Sequence, residues 1–259
     1  MNRRYTDRDR YFSELAETSR NYYVDYVGRF LPLKSGSRVL EVGCGEGGNL
    51  LPFAERGCEA EGFDFSQGKI EAACRIFHEY KVKGRFWCQD FFEAPAPECK
   101  YDLVLVHDVF EHIDPSRKLE FLCRLKQFVA TGGIAFLAFP AWQMPFGGHQ
   151  QTCRKWWLSV LPWIHLLPMR IYRGLLQLSK EPEDHIRELM DIRASRVTVE
   201  SFERICKEAG CEVLDRTLWL INPHYRVKFG MVPIRLRLGL DHIPLIRNYA
   251  SSSCFYVIH

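Results

Sequence analysis

Short apolar runs alternate along the chain with segments in which apolar residues recur at helical spacing. After a first strand that enters a glycine-rich turn at Gly43, this pattern predicts further strands at 60–63, 85–88, 101–107, 133–139, 212–221 and 253–258. It predicts helices at 11–30, 49–56, 67–80, 115–130 and 199–209. This alternation predicts an α/β fold, with a doubly wound, mostly parallel sheet of seven strands and sites at the carboxyl ends of the strands.

Two segments interrupt the alternation. Residues 141–196 contain a Pro-Phe-Gly-Gly run, several tryptophans and further prolines, and residues 222–250 separate the last two strands. We interpret the first as a helical and irregular lid insertion over the site and the second as another insertion. Residues 1–36 are expected to form an N-terminal helical cap. The length of 259 residues fits a single domain, 1–259, that carries these segments.

The turn after the first strand has the spacing of a nucleotide-binding loop. Gly43, Gly45 and Gly48 follow the G-x-G-x-x-G pattern, in which glycines allow unusual backbone angles and a close approach of ligand and following helix. Asp64 ends the next strand about 20 residues on, where a carboxylate can bind both hydroxyls of a ribose. Glu41 precedes the first glycine. We therefore predict a nucleotide site across the tips of the first strands.

Composition and charge narrow the classes of partner. Hydrophobic residues make up 47% of the chain and charged residues 26%, which is typical of a globular protein. The formal net charge of +3 is too small to predict nucleic-acid binding. The ten cysteines form no C-x-x-C pair and no zinc-type spacing with histidine, so we predict no structural metal. The opening residues are charged rather than apolar, so we expect reduced thiols and a cytoplasmic location.

Four motifs together resemble the class I S-adenosylmethionine-dependent methyltransferases. They are Glu41-x-Gly43-x-Gly45, Asp64-Phe65-Ser66, Gln89-Asp90-Phe91-Phe92 and Tyr101-Asp102-Leu103-Val104. The resemblance implies S-adenosylmethionine as cofactor, S-adenosylhomocysteine (SAH) as product, and an antiparallel pair of final strands at the sheet edge. In type, the chain is similar to the small-molecule methyltransferases of ubiquinone biosynthesis.

The resemblance assigns nine residues to the cofactor site. These are Glu41, Gly43, Cys44, Gly45, Asp64, Phe65, Asp90, Phe91 and His107. It implies that Asp64 binds the ribose, that Phe65 packs on the adenine, and that Asp90 accepts the adenine amine with Phe91 beside the base. An aspartate such as Asp90 also commonly caps a turn. A partly buried Glu41 is expected to orient the amides of the turn and attract the ammonium of the methionine moiety, which the main-chain carbonyl of His107 also meets.

The leading helix has two interpretations. Its amphipathic pattern predicts an element that packs on the sheet. The resemblance adds that Arg20, Tyr22 or Tyr23 closes over the amino-acid end of the cofactor.

Histidines that follow the strands are the candidate bases. The unperturbed pKa of His149 suits removal of a proton from a hydroxyl near neutral pH, with His112 and His107 as alternatives. Asp108 and Glu111 accompany these histidines, a composition that would also suit a metal. Similar methyltransferases carry comparable residues without a metal, so we predict none. Oxygen ligands from Asp108 and Glu111 are the alternative for a catechol-type acceptor.

For the acceptor we predict a small molecule, apolar or anionic, methylated on a hydroxyl oxygen. Trp156, Trp157 and Trp163 predict ordinary core, an apolar pocket wall, or a surface in peripheral contact with a membrane. The basic residues between 226 and 247 form a solvated face or bind an anionic group.

The alternative function is a membrane-surface or carbohydrate-pathway binding protein whose nucleotide site is regulatory. Sedimentation with liposomes at low and high salt discriminates the two hypotheses. Salt-sensitive pelleting without methyl transfer would support the binding protein.

Overall fold

The computed structural model describes residues 8–259, which form one mixed sheet of eight strands with helices on both faces. The strands are β1 (Arg38–Val42), β2 (Glu59–Asp64), β3 (Arg85–Cys88), β4 (Tyr101–His107), β5 (Val129–Phe139), β6 (Val213–Ile221), β7 (Ile234–Arg235) and β8 (Ser253–Ile258). Their order across the sheet is β3-β2-β1-β4-β5-β8-β6-β7. Strands β1 to β5 pair in parallel, and β8 is antiparallel to both β5 and β6. The predicted α/β class, mostly parallel sheet and antiparallel final strands are confirmed.

The sheet has one strand more than the seven predicted. β7 consists of two residues that pair with Trp219 and Ile221 at the outer edge of the sheet, within the segment 222–250. So short a strand contains no apolar alternation, and its pairing therefore leaves no pattern in the sequence.

Helices cover both faces of the sheet. Within residues 8–259 they are α1 (Arg8–Thr18), α2 (Val24–Gly28), α3 (Leu51–Glu55), α4 (Gln67–Glu79), α5 (Lys118–Phe128), α6 (Trp156–Val160), α7 (Met169–Leu178), α8 (Glu183–Ser195), α9 (Val199–Glu208), α10 (His224–Phe229) and α11 (Pro244–Ala250). Phe12 of α1 and Ile76 of α4 pack on one face, in the same cluster as Val39 of β1. Phe121 of α5 packs on the other face, in the same cluster as Leu40. Burial of consecutive residues of β1 is what a doubly covered parallel strand requires.

The predicted helix 11–30 forms as one helical run that contains a π-helical turn. This turn, Ser19–Tyr23, lies between α1 and α2. Tyr23 packs its ring on Phe136 and Phe255, with ring centroids 5.4 and 5.5 Å apart. The prediction that this helix packs on the sheet is therefore confirmed. Its π-helical turn is of a kind that is frequent at functional sites.

The predicted helix stop at 131–133 is wrong. α5 ends at Phe128 and β5 begins at Val129, so the Thr-Gly-Gly sequence lies inside the strand. The register between β4 and β5 shifts at this point, which indicates a β-bulge. A Cβ on Gly133 would lie 2.7 Å from the main-chain oxygen of Asp102. Gly133 therefore allows a close approach of two strands, and Gly132 supplies a positive φ of 77° within the strand.

Residues 141–196 form a helical segment with a small core of its own. We call this segment the lid, and its position over the site stays a prediction. Tyr172, Leu176 and Leu189 are buried in a cluster that is separate from the two clusters of the sheet. The side chain of Trp156 is 76% exposed and that of Trp163 is 44% exposed, so the interpretation of these tryptophans as core is wrong. Contact of this surface with a membrane stays a prediction, as does the single-domain organisation. Among residues 8–259, no helix combines the length and apolar content that crossing a bilayer requires.

Gly48 allows the leading helix to approach the glycine turn. A Cβ at this position would lie 2.8 Å from the main-chain oxygen of Phe12 and 2.8 Å from the Cβ of Leu15, both in α1. The motif predicts a close approach of the helix that follows the turn. The atoms that crowd this position belong instead to the preceding helix, which lies outside the glycine motif.

We expect Gly48→Ala to lower the free energy of unfolding by about 1–3 kcal/mol, because the added methyl group meets main-chain atoms that must shift. Gly174→Ala is the matched control. Gly174 lies on the exposed side of α7 with no atom within 4 Å of an added Cβ, so this change is expected to raise stability by about 0.5–1 kcal/mol. Urea unfolding measures both effects. Equal midpoints for Gly48→Ala and the wild type would show that α1 does not need the glycine.

Candidate active site

The turn after β1 combines positive backbone angles with open space. Gly43 has φ of 69° and Gly45 has φ of 53°, values that favour glycine. A Cβ on Gly43 would lie 2.6 Å from Cγ2 of Val109, whereas no atom lies within 4 Å of a Cβ on Gly45. Cys44 is buried, and its Sγ would lie 2.9 Å from a Cβ on Gly62, so its side chain packs against β2. The main chain at Gly45 is therefore the part of the turn that a ligand can approach.

Asp64 joins the end of β2 to this turn. Its Oδ2 accepts a hydrogen bond from the main-chain N–H of Gly45 at 3.1 Å, and its Oδ1 accepts one from that of Ser66 at 2.9 Å. Nζ of Lys69 lies 3.9 Å from Oδ2. Each carboxylate oxygen keeps a second lone pair, so Asp64 can still accept hydrogen bonds from hydroxyls. The ribose contact stays a prediction, to which the structure adds a role in fixing the turn.

Glu41 and Asn49 form a buried polar pair at the two ends of the glycine turn. Nδ2 of Asn49 donates a hydrogen bond to Oε1 of Glu41 at 2.7 Å. Oε2 of Glu41 and Oδ1 of Asn49 have no hydrogen-bond partner within the described part of the chain. Burial raises the pKa of Glu41 to about 8, against the opposing effect of the Asn49 hydrogen bond.

The expectation of a partly buried Glu41 that orients the amides of the turn is therefore wrong. The side chain is fully buried and accepts its hydrogen bond from Asn49 rather than from the amides of the turn. Asn49 was missed as a site residue, because the sequence pattern places it only at the start of a helix.

The two phenylalanines expected beside the adenine differ in their surroundings. The ring of Phe65 is 78% exposed, with Nζ of Lys69 at 6.0 Å from its centroid, and can accept a stacked base. The assignment of Phe91 is wrong. Its ring is buried, stacks on Phe63 with centroids 6.3 Å apart, and lies 4.4 Å from the ring of Phe121. An apolar residue after a strand can face either the core or the site, and Phe91 faces the core.

Asp90 caps the turn that follows β3. Its Oδ1 accepts a hydrogen bond from the main-chain N–H of Phe92 at 2.7 Å, as the turn-capping alternative predicts. The side chain is exposed, so its second oxygen stays accessible and the contact with adenine stays a prediction.

The imidazole of His107, at the end of β4, contacts a neighbouring side chain through each of its two nitrogens. Its Nε2 lies 2.8 Å from the hydroxyl of Tyr23, and its Nδ1 lies 3.5 Å from Oδ2 of Asp108. These contacts disfavour the imidazole as a base. Arg20, another residue expected to close over the cofactor, forms an ion pair with Glu55 at 2.7 Å. The contact of the His107 carbonyl with the cofactor stays a prediction.

Three further side chains meet beyond the end of β4. Glu111, His112 and His149 each present an atom able to bind a metal, and these atoms lie within 4.8 Å of one another. Nε2 of His149 is 4.0 Å from Oε1 of Glu111, and the two histidine rings are 5.2 Å apart. Glu111 and His112 belong to the short helical turn Phe110–His112, whereas His149 comes from the lid. Their separation in the sequence concealed this cluster.

Burial governs the ionisation of the cluster. Burial, together with the charge of Asp108, raises the pKa of Glu111 well above its usual value. Burial, together with the neighbouring His112, lowers the pKa of His149 to about 4. His149 is therefore neutral near pH 7 but a much weaker base than an ordinary imidazole. The expectation that its unperturbed pKa suits proton removal is wrong.

A cavity of about 290 Å³ lies beside this cluster, between the turn that follows β4 and helix α8. Its lining residues are His112, Asp184, Arg187, Glu188, Asp191 and Ile192. This volume is close to the lower end of the range of small-molecule sites, about 300 Å³. Asp184, Glu188 and Asp191 contribute three carboxyl groups and Arg187 one guanidinium, all on the exposed side of α8. An apolar or anionic acceptor stays a prediction.

Comparison with known proteins identifies the family. The family described as "Methyltransferase domain" matches residues 15–216. An uncharacterized methyltransferase of Mycobacterium sp. (strain KMS) is 29% identical over 147 residues, which are 56% of this chain and 56% of that protein. A ubiquinone biosynthesis O-methyltransferase of Coxiella burnetii (strain Dugway 5J108-111) is 27% identical over 114 residues, 44% of this chain and 47% of the relative. The chain thus spans about half the length of the curated relatives it matches.

Solved structures show the same fold. The magnesium protoporphyrin IX methyltransferase from Synechocystis PCC 6803, with bound SAH, aligns with a TM-score of 0.55 at 16% identity, over 95% of this chain and 83% of that one. At this identity the likeness concerns the fold, which is the Rossmann-like fold of methyltransferases. Because the family match covers most of the sequence, we conclude that the chain belongs to the methyltransferase-domain family.

Proposed function

We propose that this chain transfers the methyl group of S-adenosylmethionine to a hydroxyl oxygen of a small polar molecule. The supporting observation is the open main chain at Gly45, held by the carboxylate of Asp64 at the carboxyl edge of the sheet. When bound, S-adenosylmethionine supplies a methyl carbon that its sulfonium makes electrophilic. The residues of the chain bind and orient the two reactants, which supplies most of the rate of such a transfer.

The side chains around the turn fit this cofactor. The unpartnered Oδ1 of Asn49 and, in its ionised form, Oε2 of Glu41 offer acceptors for an ammonium group. The remaining lone pairs of Asp64 suit the two hydroxyls of a ribose, and the exposed ring of Phe65 suits an adenine. Together these groups match the amino-acid, sugar and base parts of one molecule, which supports the proposal more than any single contact.

The acceptor is proposed to bind in the cavity beside His112. Carboxyl groups of Asp184, Glu188 and Asp191 can accept hydrogen bonds from several hydroxyls, so the lining favours a polar, uncharged or cationic molecule. The Coxiella relative is named as an O-methyltransferase, which supports oxygen as the methylated atom. Membership of the methyltransferase-domain family does not favour the alternative of a binding protein with a regulatory nucleotide site.

We expect Asp64→Asn to weaken binding of S-adenosylmethionine by about 10–100-fold, because a hydrogen bond to a charged acceptor is worth about 1.5–3 kcal/mol. Isothermal titration calorimetry measures the affinity, and thermal unfolding confirms that the variant folds. Asp25→Asn changes an exposed residue of α2 and is the matched control, with the affinity of the wild type. Unchanged affinity in Asp64→Asn would remove the ribose contact from the proposal.

We expect SAH to form when the protein and S-adenosylmethionine are incubated with a hydroxyl-bearing acceptor, and not with the same molecule whose hydroxyl is already a methyl ether. Mass spectrometry of matched pairs of phenols, polyols and their methyl ethers detects SAH and the methylated product together. Asp64→Asn should lower the yield at limiting S-adenosylmethionine. A product methylated on nitrogen, sulfur or carbon would contradict the proposed oxygen acceptor.

A further inference from the structure

We propose that Glu111, His112 and His149 bind a divalent transition-metal ion. They offer one carboxylate oxygen and two imidazole nitrogens, which lie within 4.8 Å of one another. Two histidines and one carboxylate suit Zn²⁺, Co²⁺ or Fe²⁺ and leave further coordination positions open for water or a substrate. This inference replaces the expectation of no metal, which rested on similarity and on sequence spacing.

The distances between the proposed ligand atoms are slightly longer than those in an occupied metal site, so small side-chain movements would be enough to bind an ion. An ion with bonds of about 2.0–2.2 Å to nitrogen and oxygen holds its ligand atoms roughly 3.4 Å apart. Nε2 of His149 and Oε1 of Glu111 are already 4.0 Å apart. Rotation of the side chains by less than about 1 Å at their tips therefore brings them to bonding distance.

Glu111 provides an independent observation. It is buried, and neither carboxylate oxygen has a hydrogen-bond partner in the described part of the chain. The nearby ammonium of Lys118 donates instead to the main-chain oxygen of Phe110 at 2.6 Å and to Oγ of Ser195 at 2.8 Å. A buried carboxyl group without partners is costly, and a bound cation supplies the partner that the protein does not.

The backbone also holds this cluster in an unusual conformation. Asp108 has φ of 51° and His149 has φ of 56°, in the left-handed region that non-glycine residues rarely adopt. The main-chain oxygen of His149 accepts hydrogen bonds from N–H and Oγ1 of Thr152, at 3.0 and 2.7 Å. Such conformations persist where the surroundings fix them, and they concentrate at functional sites. The carboxylate of Asp108 interacts electrostatically with all three proposed ligands and adds attraction for a cation.

A second pair of a histidine and a glutamate, His185 and Glu181 in the lid, differs from the proposed site because its polar atoms all have hydrogen-bond partners. His185 binds Oε2 of Glu181 through Nδ1 at 3.0 Å and the hydroxyl of Thr152 through Nε2 at 2.9 Å. The other oxygen of Glu181 accepts hydrogen bonds from the main-chain N–H groups of Arg154 and Lys155. Every polar atom of this pair has a partner, so it needs no ion, unlike Glu111.

The site would also explain how an acceptor hydroxyl loses its proton, and this step alone rests on the proposed function. A divalent ion lowers the pKa of a bound hydroxyl, as it lowers that of water from 15.7 to about 7. The hydroxyl proton passes to solvent, and a lone pair of the oxygen forms the new C–O bond. The bond between sulfur and the methyl carbon breaks with its electron pair staying on sulfur, which yields SAH and the methyl ether.

The test is binding of Co²⁺ to the chelator-treated full chain, without S-adenosylmethionine or acceptor. Calorimetry and visible absorption are expected to show one ion per chain for the wild type. Glu111→Gln and His149→Ala are each expected to weaken binding by about 100-fold or more, because removing a ligand exceeds the 10–100-fold effect of outer-shell changes. His242→Ala, at an exposed histidine far from the proposed ligands in sequence, is the matched control and is expected to bind as the wild type does.

Folding is measured in the same samples. Glutamine keeps the shape of the buried carboxyl group, so Glu111→Gln is expected to melt in chelator at or above the temperature of the wild type. Added Co²⁺ should raise the melting temperature of the wild type but not that of this variant. Absence of stoichiometric binding by the wild type, or equal binding by Glu111→Gln, would overturn the proposal. Asp64→Asn is expected to retain Co²⁺ binding, which separates failure of the metal site from failure of the nucleotide site.

Discussion

The hydrogen bonds that Asp64 accepts from Gly45 and Ser66 hold the end of β2 against the turn that follows β1. Together with the N–H groups of Gly43 and Cys44, which donate to the main-chain oxygen of Phe63 at 2.8 and 3.0 Å, this link fixes the conformation of a turn whose glycines restrict the backbone little. The conformation of this turn defines where a nucleotide can approach the sheet. Since β1 pairs with both β2 and β4, the same link sets the nucleotide site relative to the residues that follow β4.

Those residues connect the nucleotide site to the proposed metal and acceptor sites. His107 ends β4 and is bonded to Tyr23 of the leading helix, while Glu111 and His112 follow in the next turn. The lid adds His149 to them from a distant part of the chain. One edge of the sheet therefore brings together a place for a nucleotide, three potential ligands of an ion, and a polar cavity.

Local pattern predicted the elements whose stability is decided locally. β3, β4 and β8 have the predicted bounds, because each is an apolar run between clear breaks. The bulge at 131–133 and the two-residue β7 were not predicted, since both depend on a partner strand that is remote in sequence.

The residues of the candidate site likewise fall into those that a local pattern predicts and those that depend on tertiary packing. The glycine motif with Asp64 is legible because its spacing is short, whereas the burial of Phe91, the pairing of Glu41 with Asn49, and the meeting of Glu111 with His149 arise from tertiary packing. Burial also contradicts the prediction that His149 acts as a base with an ordinary histidine pKa. The ordinary pKa of histidine is a property of the residue in water, and His149 no longer has that environment.

The separate core of the lid has an evolutionary consequence. Tyr172, Leu176 and Leu189 pack with one another rather than with the clusters on the sheet, so substitutions inside this core leave the packing of those clusters untouched. Cavity residues on α8 and the histidine contributed by the lid lie in this segment, whereas the turn at Gly45 does not. Selection for a new substrate can thus act on residues 141–196 while the glycine turn is inherited unchanged.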